Sequence, residues 1–325
     1  MGEDGRVFVR GLESDKYELE AFRRRQLSHP RVRDATFVTD HGDAVAHNST
    51  TKKSRTWWRI GPGDEEFLTQ SLQVHFVEID GHGSNRGHGH QNEAAFYILE
   101  GAGYEIHDGH RYDWKVGDFV FVHTDSVHQH FNPYDEKALA LVVKAKSSWM
   151  FLGLLQQGRG GDIDRPDEFG PREDWSQIWT PGVLERRKVI SVEDTVWEDT
   201  ELGRVRVMTS PRTDHARLFS VDAFEWAIEA GGSTPRYWKM ADEVLYALSG
   251  DGYSLHWEVQ AEIADRYYAH IALEPSRHEF GQGDILYVPP NTVAQHFAAD
   301  GTPLHLLSFQ NRLFKHLGYD NVKVF

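Results

Sequence analysis

Two stretches of this chain are near copies of two others, and that duplication limits the architecture more than any other feature. "EAAFYILEGAGYEIH" (93 to 107) lines up with "DEVLYALSGDGYSLH" (242 to 256), and "GDFVFVHTDSVHQHF" (117 to 131) with "GDILYVPPNTVAQHF" (283 to 297). Short alternating apolar runs broken by Gly, Asp and Asn are the pattern of antiparallel strands joined by tight turns. Only the hairpin between the paired segments differs, being longer in the second copy through "VQAEIADRYYAHIALEPSRHEF". A unit repeated in this way predicts an all-β protein of two tandem β-barrels or jelly rolls, in which few strand edges stay open.

The rest of the chain divides around these units. Residues 1–45 are expected to form an N-terminal arm with a helix over 14–28, capped by Ser14. Residues 46–156 make the first barrel and 201–325 the second. Between them, 157–200 reads as a linker and connecting segment, because 157–185 concentrates Gly, Pro and charge without periodicity. A chain of 325 residues, 39% of them hydrophobic, is long enough for two buried cores.

Composition narrows the chemistry. There are no cysteines, so a metal site here has to be built from His, Asp, Glu and backbone groups, and a reducing cytoplasm is the expected location. No apolar stretch approaches the roughly 18 residues of a membrane helix, and no basic start with an apolar run opens the chain, so no membrane association is expected. The formal charge of -15 opposes phosphate backbones, and the basic residues cluster only at Arg23 to Arg25. Nucleic acid is excluded as a partner on this reading.

The segment "GHGHQNEAAFYILEG" (87 to 101) carries the candidate chemistry. Side chains alternate along a strand, so His88 and His90 project to one face, as would positions 92, 94 and 96. His128 and His130 repeat the arrangement in "DSVHQHFN", and an antiparallel hairpin system can bring the two pairs together. A single histidine is most often a surface residue or a satisfied core residue, and His82, His107, His110 and His278 are read so. For His88, His90 and His128, identity, facing and spacing agree at two separate segments, which favours a metal.

These segments resemble the two motifs of the cupin superfamily, G-x5-H-x-H-x3-4-E-x6-G and G-x5-P-x-G-x2-H-x3-N. Gly101 matches the glycine that closes the first motif, while the usual Glu position is Ala94. Glu93 is one residue off and, by alternation, faces away from the histidines. In the second motif Gly117, His128 and Asn132 fall into register, with His123 and Asp125 in place of Pro and Gly. The resemblance implies His88, His90 and His128 as the ligand set and two tandem cupin domains as the fold. Three neutral imidazoles leave about three open positions in an octahedral site and keep the full charge of a divalent ion. Iron(II) is the metal the family implies, although imidazole also suits Zn, Cu and Ni. In the second copy Tyr237, Lys239 and Ala294 replace the three histidines while Glu243 survives at the Glu position, so that barrel is expected to hold no metal. His130 has two readings, an acid or base beside the metal or a packed core residue, and His296 occupies the matching place in the second copy.

Among two-barrel cupins, three histidines without the Glu, followed by "HQHFN", resemble the gentisate 1,2-dioxygenase family with its salicylate and 1-hydroxy-2-naphthoate relatives. The implied activity is cleavage of a hydroxylated aromatic ring, with Fe(II) as cofactor and dioxygen as co-substrate. "SLQVHF" (71 to 76) and "RTWWRIGPG" (55 to 63) resemble the family's Gln-bearing and Arg-bearing strands, which implies Gln73 and Arg55 as substrate contacts. Where the family has a carboxylate-holding Arg, this chain has Phe96, so a phenol with less negative charge than gentisate, or with a different ring substituent, is expected, with Arg86 as a substitute anion contact. Two other classes stay open: a metal-dependent isomerase, decarboxylase or lyase, and a non-catalytic ligand-binding bicupin. A homo-oligomer is expected from the resemblance.

Overall fold

The computed structural model describes residues 19–35, 53–61, 69–107, 109–124, 126–154, 157–159, 188–209, 218–319 and 321–325. In chain order, α1 (Leu19–Ser28) and β1 (Val32–Arg33) precede the first barrel. That barrel contains β2 (Ser54–Ile60), β3 (Gln73–Ile79), β4 (Gly83–Ser84), β5 (His88–His90), β6 (Ala94–Glu100), β7 (Ala102–His107), β8 (His110–Lys115), β9 (Phe119–Val122), β10 (Ser126–Asn132), β11 (Ala138–Lys144), α2 (Lys146–Phe151), β12 (Gln157–Arg159) and β13 (Val189–Ile190). The second contains β14 (Trp197–Thr200), β15 (Gly203–Thr209), β16 (Val221–Ile228), β17 (Tyr237–Lys239), β18 (Glu243–Ser249), β19 (Gly252–Ile263), β20 (Tyr267–Ile271), β21 (Ser276–Phe280), β22 (Ile285–Val288), β23 (Thr292–Ala298), β24 (Leu304–Asn311), α3 (Leu313–His316) and β25 (Lys323–Val324).

Each barrel is two sheets face to face. The first joins β12-β5-β10-β7-β8, with β4 beside β10, to β13-β9-β6-β11-β3-β2. The second joins β20-β19-β23-β17-β25, with β21 beside β19, to β1-β22-β18-β24-β16-β15-β14. The repeat is one of register as well as residues: His128 pairs with His107 on β10 and β7, and Ala294 with His256 on β23 and β19. Gly101 and Gly250 turn matching hairpins with φ of 76° and 82°, and a Cβ on either would collide with a carbonyl, of Lys137 and Pro303 respectively.

Strand parity explains where the cores sit. Along β3 and β11, Val77, Ile79, Ala138, Ala140 and Val142 point into the first barrel, whereas Val74, Phe76, Leu139, Leu141 and Val143 point out. The outward set does not meet water. It forms one continuous core with Val221, Ala223, Val244, Tyr246 and Phe309 of the second barrel, Phe119 stacking on Phe309 at 5.9 Å between ring centroids. A sheet covered on both faces reads as an unbroken apolar run, which is what "ALALVVK" is.

The expected domain limits shift in three places. β12 and β13 fall within the segment expected to be a linker, yet they pair with β5 and β9 and cover edges of the first barrel. β14 begins the second barrel's sheet at Trp197, ahead of residue 201. After α1, β1 pairs with β22, so the N-terminal arm adds a strand to the second barrel of its own chain. Ser14, the expected cap, lies outside the described residues, and the helix is described from Leu19. No helix among the described residues is long and apolar enough to cross a membrane.

Candidate metal centre

His88, His90 and His128 meet on the inner face of the β5-β10 pair. His88 lies opposite His128 in the register and His90 opposite Ser126, so the three imidazoles share one face. One ring nitrogen from each lies within 4.8 Å of the others, and the ring centroids are 4.3 to 5.5 Å apart. Two of the rings are aimed by backbone. The His88 Nδ1–H donates to the Arg86 carbonyl at 2.8 Å and the His90 Nδ1–H to the Asn92 carbonyl at 2.6 Å, which leaves each Nε2 as a lone-pair donor.

These donors fit a divalent ion. His90 Nε2 and both nitrogens of His128 are buried without a hydrogen-bond partner, a cost that coordination would remove. Burial, together with Lys144 and His88, holds His90 far below the usual histidine range. Burial, then the neighbouring histidines, does the same to His128. Neutral imidazole is the form that binds metal. Glu93, as its parity requires, points elsewhere, its carboxylate accepting from the Phe219 and Ser220 N–H groups and the Ser220 hydroxyl.

Around this trio the barrel adds groups from β7, β3, β6 and β11. His130 is buried, its ring 5.4 Å from that of His128 and 4.8 Å from that of Phe96. Its Nδ1 lies 3.8 Å from Glu105, whose other oxygen lies 3.6 Å from His107 Nδ1. Burial, then His88 and Lys144, lowers His130 to about 3, so this ring is neutral. Gln73 is half-buried on the inner face of β3, with its side-chain oxygen buried and unpartnered. Phe96, Trp114, Val120 and His130 border an apolar cavity of about 20 Å³, room for about one water. An aromatic ring does not fit there. Phe96 is the floor of the site, and the open side is that of His88 and Gln73, the half-buried members.

Two expected substrate contacts stand apart. Arg55 is opposite Glu78 in the register, on the outward face of β3, and its guanidinium is held by Asp80 at 2.8 and 3.0 Å and by Glu78 at 3.3 Å. The Arg86 side chain is exposed, and the contribution of this residue to the site is the carbonyl that orients His88. Two buried residues, Glu105 and Lys144, escaped the sequence reading, and His107, read there as a surface or core histidine, is buried beside them; the three are 0%, 6% and 0% exposed. Strand parity from the His128↔His107 pair places Glu105 and His107; nothing local marks Lys144.

The matching place in the second barrel is filled by a closed polar network. The Tyr237 hydroxyl lies 2.7 Å from Glu243 and 2.7 Å from His296 Nε2, and the Lys239 ammonium is 2.7 Å from Glu243. Ser308 and Gln310 also donate to Glu243. Burial pushes Glu243 up, but Lys239, His296 and these donors outweigh it and hold the carboxyl below its usual range.

Residues 75–144 match the family model described as a cupin domain. No curated protein matches the chain by sequence. Among solved structures, a salicylate 1,2-dioxygenase from Pseudaminobacter salicylatoxidans is 13% identical with a TM-score of 0.67, over 91% of this chain and 88% of that one. A second structure of that enzyme, an adduct with gentisate, has a TM-score of 0.66 at 11% identity over 98% and 96%. A mutant of the Bacillus subtilis oxalate decarboxylase is 13% identical with a TM-score of 0.60 over 87% of this chain and 77% of that one.

Proposed function

We infer that this chain, a two-barrel member of the cupin superfamily, is a metal-dependent enzyme, and we propose that it is an Fe(II)-dependent dioxygenase that cleaves the ring of a hydroxylated aromatic compound. The observation that carries the reading is the set of three imidazoles, His88, His90 and His128, brought together on one inner face of the first barrel. Such a set brings no negative charge of its own, so a bound divalent ion keeps its full attraction for an anionic, chelating substrate. The dioxygenase fold similarity supports the same reading.

His88, His90 and His128 would hold the ion, which when bound would supply Lewis acidity and electron transfer between ring and dioxygen. The chain's own groups do the positioning. Phe96 closes the floor, so that a ring lies across the mouth on the side of His88 and Gln73. The unpartnered Gln73 oxygen accepts a hydrogen bond from a substrate hydroxyl. His130, kept neutral by burial, presents Nε2 to the same hydroxyl and excludes water from beneath it. Holding hydroxyl and dioxygen in one dry pocket removes much of the entropic barrier to their reaction.

The similarity to an oxalate decarboxylase supports a second reading, a non-oxidative metal enzyme. Anaerobic loading with Fe(II), followed by oxygen-uptake measurements with gentisate, salicylate, hydroquinone and aminophenols, separates them. Uptake matched to loss of ring absorbance is the expected result. Turnover without oxygen consumption, or with Zn or Mn alone, would sink the dioxygenase reading.

A further inference from the structure

Among the described residues, Lys144 has no counter-ion inside the barrel. It continues the inward row of Ala138, Ala140 and Val142 on β11, and its register partner on β3 is Gln73, also inward. The residue is 6% exposed, and no hydrogen bond or ion pair engages its ammonium among the described residues. Its charge is felt by both His90 and His130, which places it on the metal side of the barrel. Burial, then the half-buried Lys146, pushes it down to about 7, the behaviour of an ammonium in want of an anion.

The second barrel shows how this scaffold accommodates a buried ammonium. There Lys239 is neutralised by Glu243, and Gln310, the residue opposite Glu243 on β24, adds a hydrogen bond. In the first barrel the pairing of Val143 with Ala95 continues to set Lys144 opposite Ala94, the position of Glu243 in the repeat. The carboxylate is gone and the ammonium has moved to the Gln310 position. A buried cation with no partner costs several kcal/mol, and a second negative group brought from outside removes that cost.

We propose that Lys144 is a specificity-determining residue that binds an anionic group of the substrate, a carboxylate beside the metal-binding hydroxyl, in the space that a protein carboxylate fills in the second barrel. The inference rests on the reading of the three histidines as a metal centre, and it runs against the sequence expectation that the loss of a positive group at Phe96 favours a less negatively charged phenol. The counter-charge has moved from β6 to β11.

The test compares salicylate with salicylamide, a neutral relative of nearly the same shape, by anaerobic calorimetric titration of the zinc-loaded protein. The wild type is expected to prefer salicylate by at least tenfold, Lys144→Gln to bring the two within about threefold, and Lys144→Arg to restore most of the preference. Metal content and melting temperature report that each variant is folded and loaded. A preference that survives in a loaded Lys144→Gln, or binding of neither probe to the wild type, overturns the proposal. If the preference follows Lys144 while no aromatic acid drives oxygen uptake, the dioxygenase reading fails and the anion site stands. Oxygen uptake with neutral phenols and no charge preference removes the anion site and leaves the dioxygenase reading in place.

Discussion

Glu93 and Asp242 hold equivalent positions in the two copies of the repeat, and each reaches out of its own barrel to grip the other. Glu93 accepts hydrogen bonds from the backbone and hydroxyl of Ser220 and from the Phe219 N–H. Asp242 accepts from the backbone and hydroxyl of Ser71 and from the Leu72 N–H. The paired staples flank the shared core of Trp57, Phe76, Phe119, Tyr246 and Phe309. They also explain why an acidic residue so near the histidines takes no part in their chemistry.

Glu93→Ala strands two buried N–H groups and a hydroxyl. The expected loss is about 3 kcal/mol in unfolding free energy by urea titration, from the cost of unsatisfied buried donors. Metal content should be unchanged. A folded variant that loses its metal would instead make Glu93 a ligand.

His128→Ala removes the imidazole that faces both His88 and His90, and bound metal should fall from one equivalent to a trace by elemental analysis after dialysis. Ala294→His should leave the total at one equivalent. Tyr237 and Lys239 are committed to Glu243, and neither brings an imidazole. Two equivalents in Ala294→His would mean that the second barrel can be made into a site by one residue.

The duplication, the two barrels and the histidine trio were legible because they depend on short-range facts: residue identity, alternation and a fixed spacing. Face parity also placed Glu93 away from the metal. Arg55 illustrates where local pattern stops, since only the β2-β3 register shows that it stands opposite Glu78 on the outward face. Lys144 ends a strand, and nothing in its local sequence marks it as buried. Its burial follows from a sheet covered on both faces, by the barrel on one side and the second domain on the other. β12 and β13 were hidden by Gly-rich and charged surroundings, because an edge strand recruited by an existing sheet needs little propensity of its own.

His296 gives the second barrel a pH signature. Burial, opposed by Glu243 and reinforced by Lys239, lowers it to about 4, against roughly 6.5 in an unfolded chain. Below the unfolded value the unfolded state takes up the proton first, so the contribution to stability is complete above about pH 6.5 and is lost as the pH falls towards 4. The full span is on the order of 3 kcal/mol. In His296→Gln the dependence of unfolding free energy on pH between 4 and 6.5 should be shallower by close to one proton. An unchanged slope would place the titration on other buried histidines, such as His107 or His256.

Lys239→Met removes the counter-ion of a fully buried carboxylate. Breaking such a pair from one side costs about 3–5 kcal/mol, because the remaining charge has nowhere to go. Glu243 is held low mainly by Lys239 against the effect of burial, so in the variant its pKa rises, and the destabilisation should be largest at neutral pH and shrink on mild acidification as the carboxyl takes a proton. The double variant Lys239→Met with Glu243→Gln removes both charges and keeps acceptors and donors for Tyr237 and Ser308. It should recover most of the loss in urea unfolding at pH 7. If the double variant is no more stable than Lys239→Met alone, the network contributes through packing around Tyr237 and His296, and the charge balance that distinguishes Lys239 from Lys144 carries less weight than the geometry assigns to it.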